Sequence, residues 1–325
     1  MKSNFQKVER EKQLELLKNT DVFENEKGGG KFIGKNREFV LLDGDKNLYA
    51  PIRENAKAYF EENGISWWQG NKPNGHILSS QIACLNHLFP FRNDKEAVLK
   101  IVNGVRNIFK EVLPVPCDNG VKGYIAFEVV SKEDRLNEGT PNRGALCTSV
   151  DAVVYARTND DKLILVPIEW KYTEFYDDQD KSKGGEEIKN GRRTGGKRRL
   201  QRYTDLINES KQLKSLDNYE GSVYYQEPFY QLMRQTLLAA QMVKNKDTEL
   251  IKADDFLHIH VIPSANKDLL NRRYKVTGKS MEASWDDCLV DKTKYVRVDP
   301  KDLLEPIRED YPDVIEYLEK RYWGE

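Results

Sequence analysis

The chain has 325 residues, and its 52 Lys and Arg against 53 Asp and Glu give a formal charge of −1. Charged residues make up 32% and hydrophobic residues 38%, and the mean hydropathy is −0.74, which excludes a membrane protein and describes a polar surface around a modest core. The near-zero charge does not by itself indicate a nucleic-acid partner. The N-terminal residues contain no apolar run typical of a signal peptide, so we expect a cytoplasmic protein.

The N-terminal part of the chain has apolar residues spaced at about 3.6, which predicts helices. We place these helices at residues 4–18, 52–62, 80–89 and 95–112. Ser79 or Ser80 is predicted to cap the third and Asp94 the fourth. An aromatic segment, Trp67-Trp68, separates the second helix from the third.

After Pro116 the apolar period changes to two residues, which predicts strands. We place them at residues 124–130, 149–157 and 163–173, with a turn at 159–161. Both faces of the second and third strands are apolar, so helices are expected on both sides of their sheet. Helices at 198–214 and 227–244, a strand at 256–263 and a helix at 301–321 are predicted to follow.

This order of elements predicts an α/β (α+β) fold with a mixed central sheet flanked by helices and with helical additions at both ends. We divide the chain into three regions. Residues 1–75 form a helical and aromatic region for recognition or packing, residues 76–263 form the core, and residues 264–325 form a helical appendage.

Cysteine and histidine are sparse, which limits the metal chemistry open to the chain. The four cysteines form no C-x-x-C pair, so a zinc ribbon and a redox dithiol are excluded. His258 and His260 share one face of the strand predicted at 256–263. We favour two hydrogen-bonded sheet histidines over a metal pair, because no third ligand of suitable type lies nearby in the sequence.

Three polar residues, Asp151, Glu169 and Lys171, interrupt the apolar hairpin. A three-residue turn centred on Asp160 places Asp151 opposite Glu169, where Cβ atoms are about 4.5–5.5 Å apart. Lys171 lies on the same face as Glu169, two residues further on. Pro167 removes a ladder hydrogen bond, so we expect a bulge or an edge strand there.

Two facing carboxylates repel each other, and a divalent cation is their natural partner. Oxygen ligands without sulfur or imidazole favour Mg²⁺, with Mn²⁺ as a substitute. A hard cation beside a lysine suits phosphodiester hydrolysis, since the metal acidifies a water and the lysine orients or deprotonates it. The alternative is a structural Asp–Glu–Lys cluster, but its net negative charge argues against it at a buried site.

The segments Ser149-Val-Asp151-Ala-Val-Val and Val166-Pro-Ile-Glu169-Trp-Lys171 resemble the Asp…Glu-x-Lys signature of the PD-(D/E)XK nuclease superfamily, the restriction-endonuclease-like fold. The flanking sequence more narrowly resembles a group of bacterial restriction endonucleases. It comprises Trp67-Trp68, residues 79–90, Phe127-Glu128 and residues 171–174. The resemblance covers about residues 50–263, and Val150 replaces the Pro that precedes the Asp in the signature.

The resemblance implies that Asp151, Glu169 and the backbone carbonyl of Trp170 bind Mg²⁺ and that Lys171 assists the attacking water. It implies a Mg²⁺-dependent endonuclease of double-stranded DNA, a type II restriction enzyme, with a cognate DNA methyltransferase encoded nearby. A palindromic target would suit a homodimer. Two alternatives stay open: a repair or recombination nuclease of the same fold, and a catalytically inactive DNA-binding protein.

Glu128 is a candidate for a further catalytic or metal-binding acid, because it lies on a largely apolar strand face. Many members of the superfamily use such an additional carboxylate. The alternative is an ion pair with Arg135 or Arg143.

Basic residues are concentrated after the Glu-x-Lys strand, in a Gly-rich segment that we expect to be flexible. We expect it to contact the DNA backbone, although a solvated tether is the alternative. Three residues on helices are weaker candidates for DNA contact. They are Gln231 and Arg234, which lie beside Gln235 on the following helix, and Gln81 on an earlier helix. The alternative for Arg234 is a surface salt bridge. The predicted DNA contacts are Lys189, Arg192, Arg193, Lys197, Arg198, Arg199, Arg202, Gln231, Arg234 and Gln81.

Overall fold

The computed structural model describes residues 3–68, 70–116, 123–141, 147–184, 187–189 and 192–324. The α-helices are α1 Asn4–Asn19, α2 Arg53–Glu62, α3 Ser80–Leu88, α4 Lys95–Val105, α5 Gly196–Asn208, α6 Phe229–Lys244, α7 Lys267–Leu270, α8 Met281–Cys288, α9 Pro300–Leu304 and α10 Pro312–Leu318. The strands are β1 Lys31–Phe32, β2 Lys35–Asn36, β3 Phe109–Leu113, β4 Ile125–Val129, β5 Val150–Thr158, β6 Leu163–Trp170, β7 Glu187–Lys189, β8 Arg192–Thr194, β9 Asp255–Phe256, β10 His258–Val261 and β11 Tyr295–Val298.

The central sheet is mixed, with β5 and β6 in the middle. On one side β3 and β4 pair antiparallel with successive parts of β5. On the other side β9 and β10 pair parallel with successive parts of β6, and β11 pairs parallel with β10. Two small hairpins, β1–β2 and β7–β8, lie outside this sheet. A mixed α/β fold with a mixed central sheet, as predicted from the sequence, is confirmed.

The β5–β6 hairpin has the predicted register, since Ala152 pairs with Ile168 and the pairing runs without a shift to Arg157 and Leu163. The expectation of a bulge or an edge at Pro167 is wrong. The strand is central, and Pro167 falls between the stretches of β6 that pair with β9 and with β10. Its missing N–H therefore lies where the parallel ladder is already interrupted.

Both faces of the sheet are covered, as the apolar parity of β5 and β6 predicted. One core cluster contains Ala152, Val154, Val166, Ile168 and residues of α2, α3 and α4, together with apolar residues of the C-terminal segment. The other contains Val153, Leu165 and residues of α5, α6 and α8. The first cluster draws residues from all three regions of the chain, and the division into three regions stays a prediction.

The predicted helix at 95–112 is wrong in its second half. It ends at Val105, where the side chain of Asn103 bonds both the N–H and the C=O of Phe109, at 3.0 and 2.9 Å. Residues 109–113 instead form β3 at the edge of β5, with Phe109 and Val112 buried. The N-caps are as predicted, since the side chains of Ser79 and Asp94 accept from backbone N–H groups of α3 and α4.

The helix predicted at 301–321 is also wrong. Pro306 and Pro312 lack the amide hydrogens that a continuous helix needs, and the chain forms α9, a 3₁₀ turn at Glu305–Ile307, α10 and a π-helical turn at Glu319–Trp323. The segment before it supplies β11, which no sequence pattern predicted. Within the described residues, every helix is too short or too polar to cross a bilayer.

Candidate active site

Asp151 and Glu169 lie at the same end of the β5–β6 hairpin, Asp151 near the start of one strand and Glu169 near the end of the other. The backbone N–H of Trp170 donates to Asp151 Oδ2 at 2.7 Å, so this carboxylate is held against the end of β6. The indole of Trp170 points to the opposite face of the sheet, where it packs against the ring of His87 at 4.7 Å. The alternation of side chains along a strand puts this indole in the core, on the face away from Glu169.

Glu169 and Lys171 form a buried ion pair, with side chains 0% and 5% exposed. Lys171 Nζ donates to Glu169 Oε1 and, at 2.6 Å, to Gln231 Oε1. Gln235 Nε2 donates to Glu169 Oε2. The helix α6 thus supplies one amide for each member of the pair. Gln231 was predicted to contact DNA, while Gln235 drew no prediction beyond its position, four residues further along the same face.

Glu128 lies next to Asp151 in the site. In the register of β4 with β5, Phe127 pairs with Ala152 and Val129 with Val150, so Glu128 is opposite Asp151. Its φ of 50° is in the left-handed region, which is unusual for a residue other than glycine. Its carboxylate accepts from Gln81 Nε2 at 2.8 Å and from Ser149 Oγ at 3.1 Å.

The alternative interpretation of Glu128 was an ion pair with Arg135 or Arg143. Arg135 pairs instead with Glu133 and Glu249, at 3.0 and 2.7 Å. Arg143 lies outside the described residues.

Burial and like charge dominate the electrostatics of the acids. Burial raises the pKa of Asp151 well above its usual value, and the nearby charges of Glu169 and Glu128 raise it further. Burial also raises the pKa of Glu128, against the opposing effect of its hydrogen bonds from Gln81 and Ser149. The negative charges of Glu169 and Glu128 act on Asp151, so a cation beside this carboxyl would be stabilised.

Burial and nearby charge have opposing effects on the pKa of Lys171. Burial by itself lowers the pKa of Lys171, but the nearby charges of Glu169, Tyr176, Glu174 and Asp151 outweigh it and raise the pKa well above that of an ordinary lysine. Lys171 is therefore an ammonium group with these contacts.

The donor atoms of the site suit a hard divalent cation. Over the part of the chain that the structure describes, no three side chains of His, Cys, Asp or Glu form a metal site by themselves. The predicted ligands are a different set, two carboxylates and the carbonyl oxygen of Trp170, and the hard oxygen donors of Asp151 and Glu169 suit Mg²⁺. The residues present fit such an ion by chemistry and by charge.

A cleft with a volume of about 470 Å³ opens beside the acids, and Asp151, Glu128 and Gln81 line one part of it. Its other walls come from residues that were not predicted to belong to the site. They are Gln6 and Arg10 of α1, the rings of Phe32, Phe39, Trp68 and His76, and Leu78, Ser79, Ser80, Thr173 and Glu174. The sequence signal for this wall was the aromatic segment Trp67-Trp68.

The predicted DNA-contacting residues are dispersed. Lys197, Arg198, Arg199 and Arg202 lie on α5, where Arg199 donates to the carbonyl of Lys181 at 3.0 Å and Lys197 is exposed. The backbone of Lys189, Arg192 and Arg193 belongs to the β7–β8 hairpin, not to the irregular loop expected, and their side chains lie outside what the structure describes.

Two further candidates make protein contacts. Arg234 forms an ion pair with Glu138 at 3.1 Å, which is the salt bridge that the alternative interpretation anticipated, although Glu138 is buried. Gln81 bridges Glu128 and the backbone N–H of Trp68, the latter at 3.0 Å. DNA contact by any of these residues stays a prediction.

The strand histidines are buried on β10. His260 Nδ1 contacts the hydroxyl of Tyr295 at 2.8 Å. Neither ring nitrogen of His258 has a hydrogen-bond partner among the described residues, so the expectation of two hydrogen-bonded histidines is wrong for His258. Burial lowers its pKa to about 4, so its ring is neutral at physiological pH.

The chain matches a family model over nearly its whole length. No protein of curated function and no solved structure matches it. A family model described as "Restriction Endonuclease associating with ARP" matches residues 17–323, which include both strands of the Asp151–Glu169 hairpin and the aromatic wall of the cleft. With a match over more than half of its length, the chain belongs to this restriction endonuclease family, REase-ARP.

Proposed function

We propose that the protein is a Mg²⁺-dependent endonuclease that hydrolyses phosphodiester bonds of double-stranded DNA as a type II restriction enzyme. The observation that carries this proposal is the hairpin register, which sets Asp151 opposite Glu169 with Lys171 paired to Glu169. The family to which the chain belongs supports nuclease chemistry and a DNA substrate. The cleft lined by Asp151 and Glu128 gives a substrate access to these two carboxyl groups.

Asp151, Glu169 and the backbone carbonyl of Trp170 would hold the cation, with Glu128 as a further acid beside them. When bound, Mg²⁺ supplies polarisation of the phosphoryl oxygen and a water of lowered pKa. Lys171 orients the attacking water and offsets charge that develops on the phosphate. In the metal-free site the nearby negative charges raise the pKa of Lys171, so there it is an ammonium group. Gln231 positions Lys171, and Gln235 positions the Glu169 carboxylate.

Cleavage of supercoiled plasmid and of bacterial genomic DNA tests the proposal. We expect cutting with Mg²⁺ or Mn²⁺ and none with EDTA. Asp151→Ala, Glu169→Ala and Lys171→Ala are each expected to lower the rate by about 100-fold or more. Asp161→Ala is the matched control, because Asp161 is an exposed acid in the turn of the same hairpin. Retained activity in all three site variants would overturn the proposal.

The substrate separates this proposal from its two rivals. Preference for branched or single-stranded DNA would favour a repair or recombination nuclease. Calorimetry that detects no Mg²⁺ or Mn²⁺ binding dependent on Asp151 and Glu169 would favour a catalytically inactive DNA-binding protein. Sequencing the ends of digestion products tests site-specific cutting. A DNA methyltransferase encoded nearby and a homodimer in solution are further expectations of the restriction role.

A further inference from the structure

One wall of the cleft is an aromatic cluster built from the N-terminal quarter of the chain. Its central ring is Phe32, whose centroid lies 4.8 Å from that of His76, 5.9 Å from that of Trp68 and 6.3 Å from that of Phe39. Trp68 and His76 also meet at 5.9 Å. These four rings form one aromatic cluster that lines the same cavity as Asp151 and Glu128.

Trp68 is 42% exposed, so part of this aromatic cluster is open to a ligand. Among the described residues with large exposed apolar side chains it is the one aromatic residue. Its loop is anchored at both backbone groups: the N–H donates to Gln81 Oε1 at 3.0 Å, and the C=O accepts from Asn74 Nδ2 at 3.0 Å. An open indole on a fixed loop is a platform for a planar ligand.

Gln81 ties this platform to the acids. Its carbonyl oxygen accepts from Trp68, and its amide nitrogen donates to Glu128 Oε1 at 2.8 Å. One side chain therefore fixes the distance between the aromatic loop and the carboxylate cluster. A ligand that contacts Trp68 lies within the same cavity as the predicted reaction centre.

Arg10 of α1 supplies a positive charge to the cleft. Its guanidinium lies over the ring of Phe39 at 4.6 Å, and its buried Nε has no hydrogen-bond partner among the described residues. The described acids form no ion pair with it at 4.0 Å or less. A buried donor left unpaired is costly, and an anionic group of a ligand would satisfy it.

We propose that the cleft holds one unpaired nucleotide of the DNA substrate, with its base stacked on Trp68 and a neighbouring phosphate on Arg10. A planar base suits the open indole, a phosphate suits the unpaired guanidinium, and a cavity of about 470 Å³ falls in the size range of small-ligand sites, about 300–1,000 Å³. This inference rests on the proposed function for its substrate class. It assigns the N-terminal region a part in binding the substrate.

The test measures binding by fluorescence anisotropy in EDTA, so that no cleavage occurs. The probes are a short labelled duplex with one unpaired thymidine and the same duplex with an abasic residue at that position. Wild-type protein is expected to bind the thymidine duplex more tightly. Trp68→Ala should weaken binding to the thymidine duplex by about 5- to 150-fold, the range that loss of one stacked base produces, and leave the abasic duplex unaffected.

Two further variants of Trp68 separate stacking from folding. Trp68→Phe keeps an aromatic face and is expected to retain the preference for thymidine. Trp68→Leu keeps apolar bulk without that face and is expected to lose it. Leu42→Ala is the control, since Leu42 is an exposed apolar residue, at 65%, that does not line the cleft.

Arg10→Gln is expected to weaken binding to both duplexes by the same factor and to reduce the salt slope of log K by about one. Lys18→Gln, which removes an exposed charge from the same helix, should change neither. Equal binding of the two duplexes by wild-type protein, or a preference unchanged in Trp68→Ala, would overturn the inference. Either result leaves the plasmid assay to decide the proposed function independently, because that assay scores cleavage and this one scores base-dependent binding.

Discussion

Lys171→Met should strongly destabilise the fold, independently of any effect on catalysis. The ammonium group of Lys171 is the cationic partner of Glu169, whose side chain is 0% exposed. Methionine retains the length and apolar stem of lysine but leaves the Glu169 carboxylate with Gln235 as its remaining side-chain donor. Removing one member of a buried ion pair typically costs about 3–5 kcal/mol, because the other charge stays buried without compensation.

The pair's energy can be isolated with a double-mutant cycle. Glu169→Gln should cost less than Lys171→Met, since Glu174 and Asp151 still stabilise the lysine charge. The double variant with both changes removes both charges and should cost less than the sum of the single changes, by about 2 kcal/mol or more.

Urea denaturation followed by tryptophan fluorescence, in EDTA and at several pH values, gives the four free energies of unfolding. Lys110→Met is the control, because Lys110 pairs with Asp161 at the exposed hairpin turn and should change stability by less than about 1 kcal/mol. A cost below about 1 kcal/mol for Lys171→Met, or additive single changes, would refute the assignment of Glu169 and Lys171 as a coupled buried pair.

Two more predictions concern the charges around this pair. Asp151→Asn should stabilise the metal-free protein, relative to wild type, increasingly as the pH rises. Because the pKa of Asp151 is raised in the fold, its contribution to stability is complete at low pH and is lost as the carboxyl ionises in the fold. In thermal unfolding in EDTA, the unfolding temperatures of Asp151→Asn and wild type should therefore separate as the pH rises from acid values, and parallel curves would contradict this. Arg234→Met should lower the free energy of unfolding by about 1–3 kcal/mol, because the buried Glu138 loses its cation and keeps Tyr203 and Thr148 as donors. Loss of DNA affinity without loss of stability would instead support the DNA contact predicted from the sequence.

The hairpin that carries Asp151 and Glu169 could be predicted from the sequence because its determinants are local. Short runs of residues that are apolar on both faces defined the two strands, and a three-residue turn between them fixed their register. The parity of the strands then placed Asp151, Glu169 and Lys171 on one face and Trp170 on the other. Each of these steps depends on residues close together in the chain, and each agrees with the structure.

Contacts between distant segments explain where the predictions were wrong. Residues 109–113 have an apolar spacing compatible with a helix, and their pairing with β5 is what makes them a strand. β11 is likewise a strand because it lies beside β10. Pro167 is tolerated in a central strand because the neighbouring strand is interrupted opposite it.

By itself, then, the sequence determined the acids, the lysine and the hairpin that aligns them, since period, parity and turn length act within some twenty residues of chain. Only the tertiary structure decided what surrounds them. Gln235 reaches Glu169 across 66 residues, and Gln81 reaches Glu128 across 47. Arg10 and Trp68 enter the cleft from still more remote segments. No local sequence pattern predicts these contacts, because they depend on how whole helices and loops pack on the sheet.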